Sequence, residues 1–185
     1  MKKTAITIVA TALAVLAGCV APPKQITLQS EFDADEARRL LAKGDNTIKG
    51  SALMRQLDGD VVTCAGREVL LQPATTYAHE VVAHMFGSET KGLATWRPAG
   101  TWGTLDYPAT WGNVYFPNEA SGFWALDKRT TCDAQGFFEF TDVADGSFFV
   151  LTIVQWTALD VQQGGAMMQK VEVKGGETKK IVLAP

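Results

Sequence analysis

The sequence has few of the residues from which catalytic and metal centres are built. Its 185 residues include only two histidines and three cysteines, and no two cysteines are spaced as C-x-x-C. Protein metal sites combine several such ligands at short spacings, so we predict no metal and no other cofactor. No serine lies in a G-x-S-x-G sequence, and no glycine-rich phosphate loop is present. These absences argue against an enzyme, and we expect a protein without catalytic activity.

Charge and hydropathy argue against two further classes of protein. Acidic and basic residues nearly balance, with 20 Asp and Glu against 17 Lys and Arg. A nucleic-acid-binding domain needs a basic surface, so no nucleic acid partner is expected. The apolar run at residues 5–17 is too short for a helix that crosses a bilayer.

The first residues instead have the form of a secretory signal that ends at a cysteine. Two lysines at positions 2 and 3 precede the apolar run, and small residues end it at 17 and 18. This order is typical of a cleaved signal peptide. The sequence Leu-Ala-Gly-Cys at 16–19 resembles the lipobox of bacterial lipoproteins, in which the cysteine is acylated and becomes the new N-terminus. We predict a signal peptide over residues 1–18 and a lipid such as palmitate on Cys19. A plain signal peptide and an N-terminal membrane helix are the alternatives.

A lipid on Cys19 would anchor the chain to a membrane through a short tether. Residues 19–30 contain two consecutive prolines and no hydrophobic periodicity. Roughly eleven extended residues reach at most 35–40 Å. Val20, rather than an aspartate, follows the cysteine, which resembles the outer-membrane sorting default of enteric bacteria. We therefore expect a domain held at the outer membrane and facing the periplasm.

Cys64 and Cys132 are the two remaining cysteines. In an oxidising compartment such as the periplasm, an isolated pair is expected to form a disulfide. Closing so long a loop stabilises the fold by about 4 kcal/mol in the chain-entropy model, less any strain. Two buried free thiols, or half of a metal site, are the alternatives.

Residues 31–185 have the size of one domain with two helices. The first helix is predicted over 33–43, with Asp33 as its cap and Gly44 as its stop. The second is predicted over 75–86, capped by Thr75 or Thr76 and closed by Gly87.

Short strands dominate the rest of this domain. They are predicted at residues 48–55, 61–64, 68–71, 123–127, 137–140, 147–159, 166–173 and 178–183. Short strands separated by turn sequences predict a mainly β fold, an antiparallel sandwich or barrel. Residues 75–127 form an insertion, and its part from 89 to 118, rich in Gly, Pro, Thr and Trp, is expected to form loops and short hairpins.

The second half of the sequence resembles the carboxypeptidase regulatory-like domain. The family pattern combines a D-x-x-G-x-F-x-F strand, a D-G turn into another strand, and a final hairpin that ends in apolar residues. The matching stretches are residues 133–140, 143–150, 171–178 and 181–183, with 48–50 and 69–71 matching the first two strands. The resemblance implies an antiparallel Greek-key β-sandwich of the transthyretin type, and a binding, packing or scaffold role without catalysis.

The sequence His-Glu-Val-Val-Ala-His at 79–84 comes close to a zinc-protease motif without matching it. That motif places its histidines four residues apart on one side of a helix. His79 and His84 are five residues apart, so their rings would point about 140° away from each other. We predict one exposed and one half-buried histidine, and no metal.

Aromatic residues concentrate in the insertion. Four of the five tryptophans lie between residues 96 and 124. The candidate interaction surface consists of Trp96, Trp102, Tyr107, Trp111, Tyr115 and Trp124. Trp and Tyr dominate protein contact surfaces and can also stack on sugar rings. They can equally form a satellite core under a long loop. All three interpretations stay open at this point.

These features together favour a non-enzymatic, outer-membrane-anchored lipoprotein that acts as a structural, adaptor or protein-binding module of the cell envelope. Its partners would be the membrane, through the lipid, and another envelope protein. The alternative is a lipoprotein that binds a glycan such as peptidoglycan through the tryptophan-rich insertion.

Overall fold

The computed structural model describes residues 24–95, 114–158 and 160–185. Cys19 and four of the candidate surface residues (Trp96, Trp102, Tyr107 and Trp111) lie outside these ranges, so the expectations for them stay predictions. The helices are α1 (Ala34–Leu40) and α2 (Thr76–Phe86), with a 3-10 turn at Phe123–Ala125. The strands are β1 (Lys24–Gln25), β2 (Lys43–Arg55), β3 (Val61–Thr63), β4 (Glu68–Pro73), β5 (Lys91–Thr95), β6 (Val114–Tyr115), β7 (Lys128–Thr131), β8 (Phe137–Val143), β9 (Gly146–Ala158), β10 (Val161–Val173) and β11 (Thr178–Leu183).

Two facing sheets form a β-sandwich. The larger sheet has five strands in the order β5-β10-β9-β4-β7, and all its pairs are antiparallel. In the smaller sheet β2 is central, with β11 parallel to it along one edge and β8 and β3 antiparallel to it. A separate parallel ribbon joins β1 to β6. The predicted mainly β sandwich with two helices is confirmed, and the two parallel pairs depart from the purely antiparallel arrangement.

The five-stranded sheet is buried on both faces, so the fold has two cores. Along β9, Phe148 and Val150 point into the sandwich, whereas Phe149 and Leu151 point toward α2. Strands buried on both faces carry continuous apolar runs rather than alternating ones, as residues 148–151 do. Three layers result: α2 with the segments that cover it, the five-stranded sheet, and the smaller sheet.

Helix α2 confirms the prediction for residues 75–86 at both ends. The Thr75 hydroxyl accepts a hydrogen bond from the Ala78 backbone N–H at 3.2 Å, which caps the first turn. Gly87 closes the helix with a left-handed φ of 67°. The buried side of this helix is the face that lies on the central sheet.

Helix α1 is shorter than predicted. Asp33 caps it as expected, accepting hydrogen bonds from the first backbone N–H groups, but the helix ends at Leu40. Gly44 is not its stop, because this residue belongs to β2. A Cβ at position 44 would lie 2.3 Å from the carbonyl oxygen of Val143, so the close approach of two backbones requires glycine there.

Two predictions for the insertion are corrected. Residues 123–127 do not form a strand, because the chain turns there in a 3-10 helix. Phe123 and Trp124 both pack into one aromatic cluster, whereas adjacent side chains on a strand would point to opposite faces. The part expected to form only loops and hairpins also contributes β5, an edge strand of the five-stranded sheet.

The disulfide between Cys64 and Cys132 is confirmed. The two Cα atoms are 5.8 Å apart, and 68 residues separate them in sequence. The Gly66 N–H also donates to the Cys132 carbonyl at 3.0 Å. The bridge therefore fastens the β3–β4 turn to the end of β7.

A buried asparagine closes the opposite end of the sandwich. Asn46 Nδ2 donates to the Val143 carbonyl at 3.0 Å and to Asp145 Oδ1 at 2.8 Å. Its Oδ1 accepts from the Glu177 N–H at 2.9 Å. One side chain thus joins β2 to both the β8–β9 and the β10–β11 turns.

Candidate functional site

The two described members of the predicted aromatic surface have different environments. Tyr115 is exposed on β6. Trp124 is half-buried: its ring contacts Phe123 at a centroid distance of 4.7 Å, and its Nε1 donates to Glu119 Oε1 at 2.8 Å. Trp124 is therefore part of the packing above α2, whereas Tyr115 is 38% exposed.

An aromatic cluster packs this side of the domain. The Tyr77 ring lies 5.4 Å from Phe32 and 5.0 Å from Phe123, measured between centroids. Its hydroxyl accepts from the Ala120 N–H at 2.7 Å. Burial raises the pKa of Tyr77, because the charged form would lose its hydration. These contacts make the cluster part of the packing above α2, and of the two described residues of the predicted surface it includes Trp124.

The segment 24–30, which we call the N-terminal strap, is fastened to the folded domain. Lys24 and Gln25 pair with the strand that contains Tyr115, whose carbonyl accepts from the Ile26 N–H at 2.9 Å. Leu28 is only 4% exposed and packs in the core above α2. The predicted tether over 19–30 is therefore shorter, because its last seven residues belong to the domain.

Two polar side chains hold the strap from opposite sides. Asn118 makes a reciprocal pair with Leu28: its Oδ1 accepts from the Leu28 N–H, and its Nδ2 donates to the Leu28 carbonyl, both at 2.9 Å. The carboxylate of Glu80, on α2, accepts from the N–H groups of Gln29 and Ser30 at 2.7 Å each. Burial alone would raise the pKa of Glu80, but the hydrogen bonds from Ser30 and Gln29 outweigh it and lower that pKa.

The two histidines do not converge, as predicted. His79 is half-buried, with its Nδ1 2.6 Å from Glu89 Oε2 and its Nε2 3.4 Å from Lys170 Nζ. His84 is exposed, and its ring lies 6.2 Å from that of Phe116. Among the described residues no group of three or more His, Cys, Asp or Glu side chains could hold a metal ion.

The outer face of the smaller sheet carries two exposed apolar side chains on either side of a serine, which the sequence pattern did not predict. Ser51 on β2 lies opposite Val182 on one side and Phe137 on the other. Phe137 is 57% exposed and Val182 is 55% exposed. We call Ser51, Phe137 and Val182 the outer row.

Charged residues border the outer row. Two residues before Ser51, and on the same face, Lys49 lies between Lys180 on β11 and Glu139 on β8. The Lys49 Nζ is 3.1 Å from Glu139 Oε1. Exposed apolar side chains with charged residues along one side resemble part of the apolar core and polar rim of a protein contact surface.

No helix within residues 24–95, 114–158 and 160–185 has the length and apolar character needed to cross a membrane.

Comparisons with known proteins show the fold and no family. The chain matches no protein-family model and no curated protein. It is similar to the crystal structure of a Pseudomonas aeruginosa protein that is provisionally described as a carbohydrate binding protein. The two share 19% sequence identity with a TM-score of 0.61, and the match covers 84% of this chain and 99% of that one. At this identity the likeness shows that the two chains share an architecture over nearly their whole common length.

Proposed function

We propose that this protein is a non-enzymatic lipoprotein of the cell envelope, anchored through Cys19, whose sandwich binds another envelope protein. The outer row carries this proposal. Phe137 and Val182 flank Ser51 on either side, and Leu53 and the exposed Val61 lie further along the same sheet face. The solvated face of a sheet ordinarily carries polar side chains, so several exposed apolar ones on one face favour a contact surface.

The disulfide and the signal sequence support the envelope location. A cross-link between Cys64 and Cys132 suits an oxidising compartment, which a secretory signal would reach. The resemblance to the carboxypeptidase regulatory-like domain agrees with a binding or scaffold role, because the proposal needs no catalytic group.

Affinity purification in mild detergent tests the partner. The tagged full chain should recover an envelope protein in stoichiometric amount, and Phe137→Lys should reduce that recovery roughly tenfold or more. Leu57→Lys is the matched control, because Leu57 is fully exposed at a turn and lies outside the outer row. Equal recovery with both variants, or recovery of no protein, contradicts the proposed contact surface.

Acyl labelling tests the anchor separately. Cys19→Ala should abolish the label and move the protein from the membrane fraction to the soluble periplasm. Membrane association without label contradicts lipidation at Cys19 and leaves the outer row to be judged by its own test.

Glycan binding is the second candidate. The structural neighbour's provisional description and the three tryptophans between 96 and 111 favour it. The same purification, read for bound glycans, should then recover peptidoglycan or another polysaccharide. Recovery should fall with Trp102→Ala or Trp111→Ala at unchanged melting temperature. Loss of folding in those variants would instead assign the tryptophans to a core.

A further inference from the structure

The place at which the lipid tether joins the domain decides which side of the domain can face the bilayer. With the strap docked, the chain leaves the described domain at Lys24, beside Val114. Five residue steps separate Cys19 from Lys24. Whatever their conformation, these steps span no more than roughly 18 Å.

This reach is short compared with the domain. A compact domain of about 160 residues has a radius of gyration near 15 Å and hence a diameter of roughly 40 Å. A tether of less than half that diameter cannot let the far side of the domain approach the lipid. If the strap were released, twelve residue steps from Cys19 to Glu31 would span roughly 40 Å, and the orientation would be free.

We infer that the N-terminal strap orients the anchored domain, with the β1–β6 ribbon as the surface that meets the bilayer. The inference rests on the proposed lipid at Cys19. The ribbon carries the exposed residues Lys24 and Tyr115. A lysine and a tyrosine suit the interface between lipid headgroups and water, where aromatic rings and basic side chains are favoured.

The strap can bear this role because its contacts are specific and numerous. Leu28 contributes a buried side chain, and the Asn118 side chain forms hydrogen bonds with both its backbone N–H and its carbonyl. Gln29 and Ser30 add two hydrogen bonds to an ionised carboxylate, which are stronger than neutral ones. Local release of the strap would have to break all these contacts at once.

Lysine modification by a lipid-bound reagent measures the orientation. The full acylated chain is placed in liposomes that contain a lipid with an amine-reactive headgroup. Lys24 belongs to the strap, whose Leu28 packs on the α2 side of the central sheet, whereas Lys180 is exposed on the smaller sheet, on the other side. The modified fraction of each lysine in liposomes is divided by the fraction that a soluble reagent modifies in detergent. This ratio should be roughly tenfold higher for Lys24 than for Lys180, because the short tether keeps Lys180 away from the lipid-bound reagent.

Two variants and one control separate the strap from other causes. Glu80→Gln with Asn118→Ala should release the strap, raise hydrogen exchange at residues 26–30, and bring the two lysines within about twofold of each other. Insertion of seven Gly and Ser residues before position 22 should make the modification of Lys24 and Lys180 equal, while the strap stays protected from hydrogen exchange. Glu31→Gln is the matched control: it removes one carboxylate next to the strap and should keep the native preference.

The outcomes distinguish the two levels of the proposal. Equal modification of both lysines in the native protein, with an acyl chain on Cys19, overturns the orientation and leaves the lipid anchor standing. Persistent preference for Lys24 after the seven-residue insertion also overturns it, because the tether length would then not be the cause. Absence of an acyl chain on Cys19 refutes the anchor itself, and the orientation with it.

Discussion

Substitution of Asn46 tests how much its side-chain hydrogen bonds, which join β2 to the two turns at one end of the sandwich, contribute to stability. Its side chain is fully buried and satisfies the Val143 carbonyl and the Glu177 N–H, which lie in different segments. Asn46→Ala would leave both groups without a partner, and each unsatisfied buried group costs about 1–3 kcal/mol. We expect the free energy of unfolding to fall by about 2–4 kcal/mol, since the hydrogen bond to Val143 is buried and the one from Glu177 is only partly buried.

Asn46→Asp adds a charge without changing the shape, and it predicts a specific pH dependence. In the native protein, hydrogen bonds from Asn46 and from the Gly175 N–H lower the pKa of Asp145. A lowered pKa contributes stability above the unfolded-state value, and this contribution is lost as the pH falls through the folded-state value. In the variant, the new carboxylate faces the Asp145 carboxylate and the Val143 carbonyl, so its pKa is raised. A carboxyl group with a raised pKa destabilises the folded protein most at neutral pH, where it has to be ionised. The difference in free energy of unfolding between the native protein and the variant should therefore shrink as the pH falls from about 7 to about 4.

Urea denaturation at a series of pH values, with the disulfide intact, measures both effects. Asp145→Asn is the control, because its amide oxygen can still accept from Asn46 and Gly175 while the charge is gone. That control should keep most of the stability and lose its part of the acid dependence. An Asn46→Asp variant as stable as the native protein at pH 7, or one whose deficit grew on acidification, would refute this account of the closure.

Three further predictions concern single contacts and can be checked by chemical and thermal denaturation. Replacing Cys64 and Cys132 together by alanine should lower the free energy of unfolding by about 4 kcal/mol, because the bridge spans 68 residues; native-like stability would contradict this. Tyr77→Phe should cost about 1–3 kcal/mol because the backbone N–H at 120 loses its partner. The exposed Tyr115→Phe should cost far less, and equal losses would count against the aromatic core. Gly44→Ala should lower the melting temperature, because its Cβ would lie 2.3 Å from a backbone carbonyl that cannot move aside alone; an unchanged melting temperature would show that β2 and β8 shift freely.

The sequence was sufficient to predict helix ends and turns, whose structure depends on residues close by in the chain. Thr75 and Gly87 bracket α2 as predicted, because capping depends on neighbours a few residues away. Turns rich in Asp and Gly separate β8 from β9 and β10 from β11 for the same reason, but the strand predicted from residue 166 begins at Val161, so Gly164 and Gly165 pair within β10 and do not form a turn. The cysteine pair was predictable because only two cysteines remain once Cys19 is assigned to the lipid.

Long-range contacts decide the features that the sequence did not reveal. Leu28 meets Asn118 across 90 residues, and Asn46 meets Glu177 across 131 residues. Nothing in the local pattern of residues 24–30 distinguishes a docked strap from a tether, because the two apolar residues Ile26 and Leu28 do not by themselves make a periodic pattern. The backbone of this segment is satisfied by partners that only the folded chain brings near.

The candidate surface shows the same limit in another form. Phe137 and Phe138 are neighbours in sequence, and their alternation on β8 sends one inward and one outward. The alternation of Phe138 and Phe140 places these two on one face and Phe137 on the other, but no local pattern predicts that Val182 stands in the same row as Phe137. The clustered tryptophans drew attention instead, yet Trp124 proved to be packed above α2.

The central five-stranded sheet lies between the strap and the outer row. The strap lies on the α2 side of the five-stranded sheet, whereas the outer row lies on the smaller sheet that covers its other side. Layers packed in this way are about 10 Å apart, so the two surfaces are separated by the thickness of the domain. A domain oriented by its strap toward the bilayer would therefore present Phe137 and Val182 away from the lipid. In that orientation the proposed anchor would not compete with the proposed contact surface, and a short tether would help an adaptor because it would fix the direction in which the partner is held.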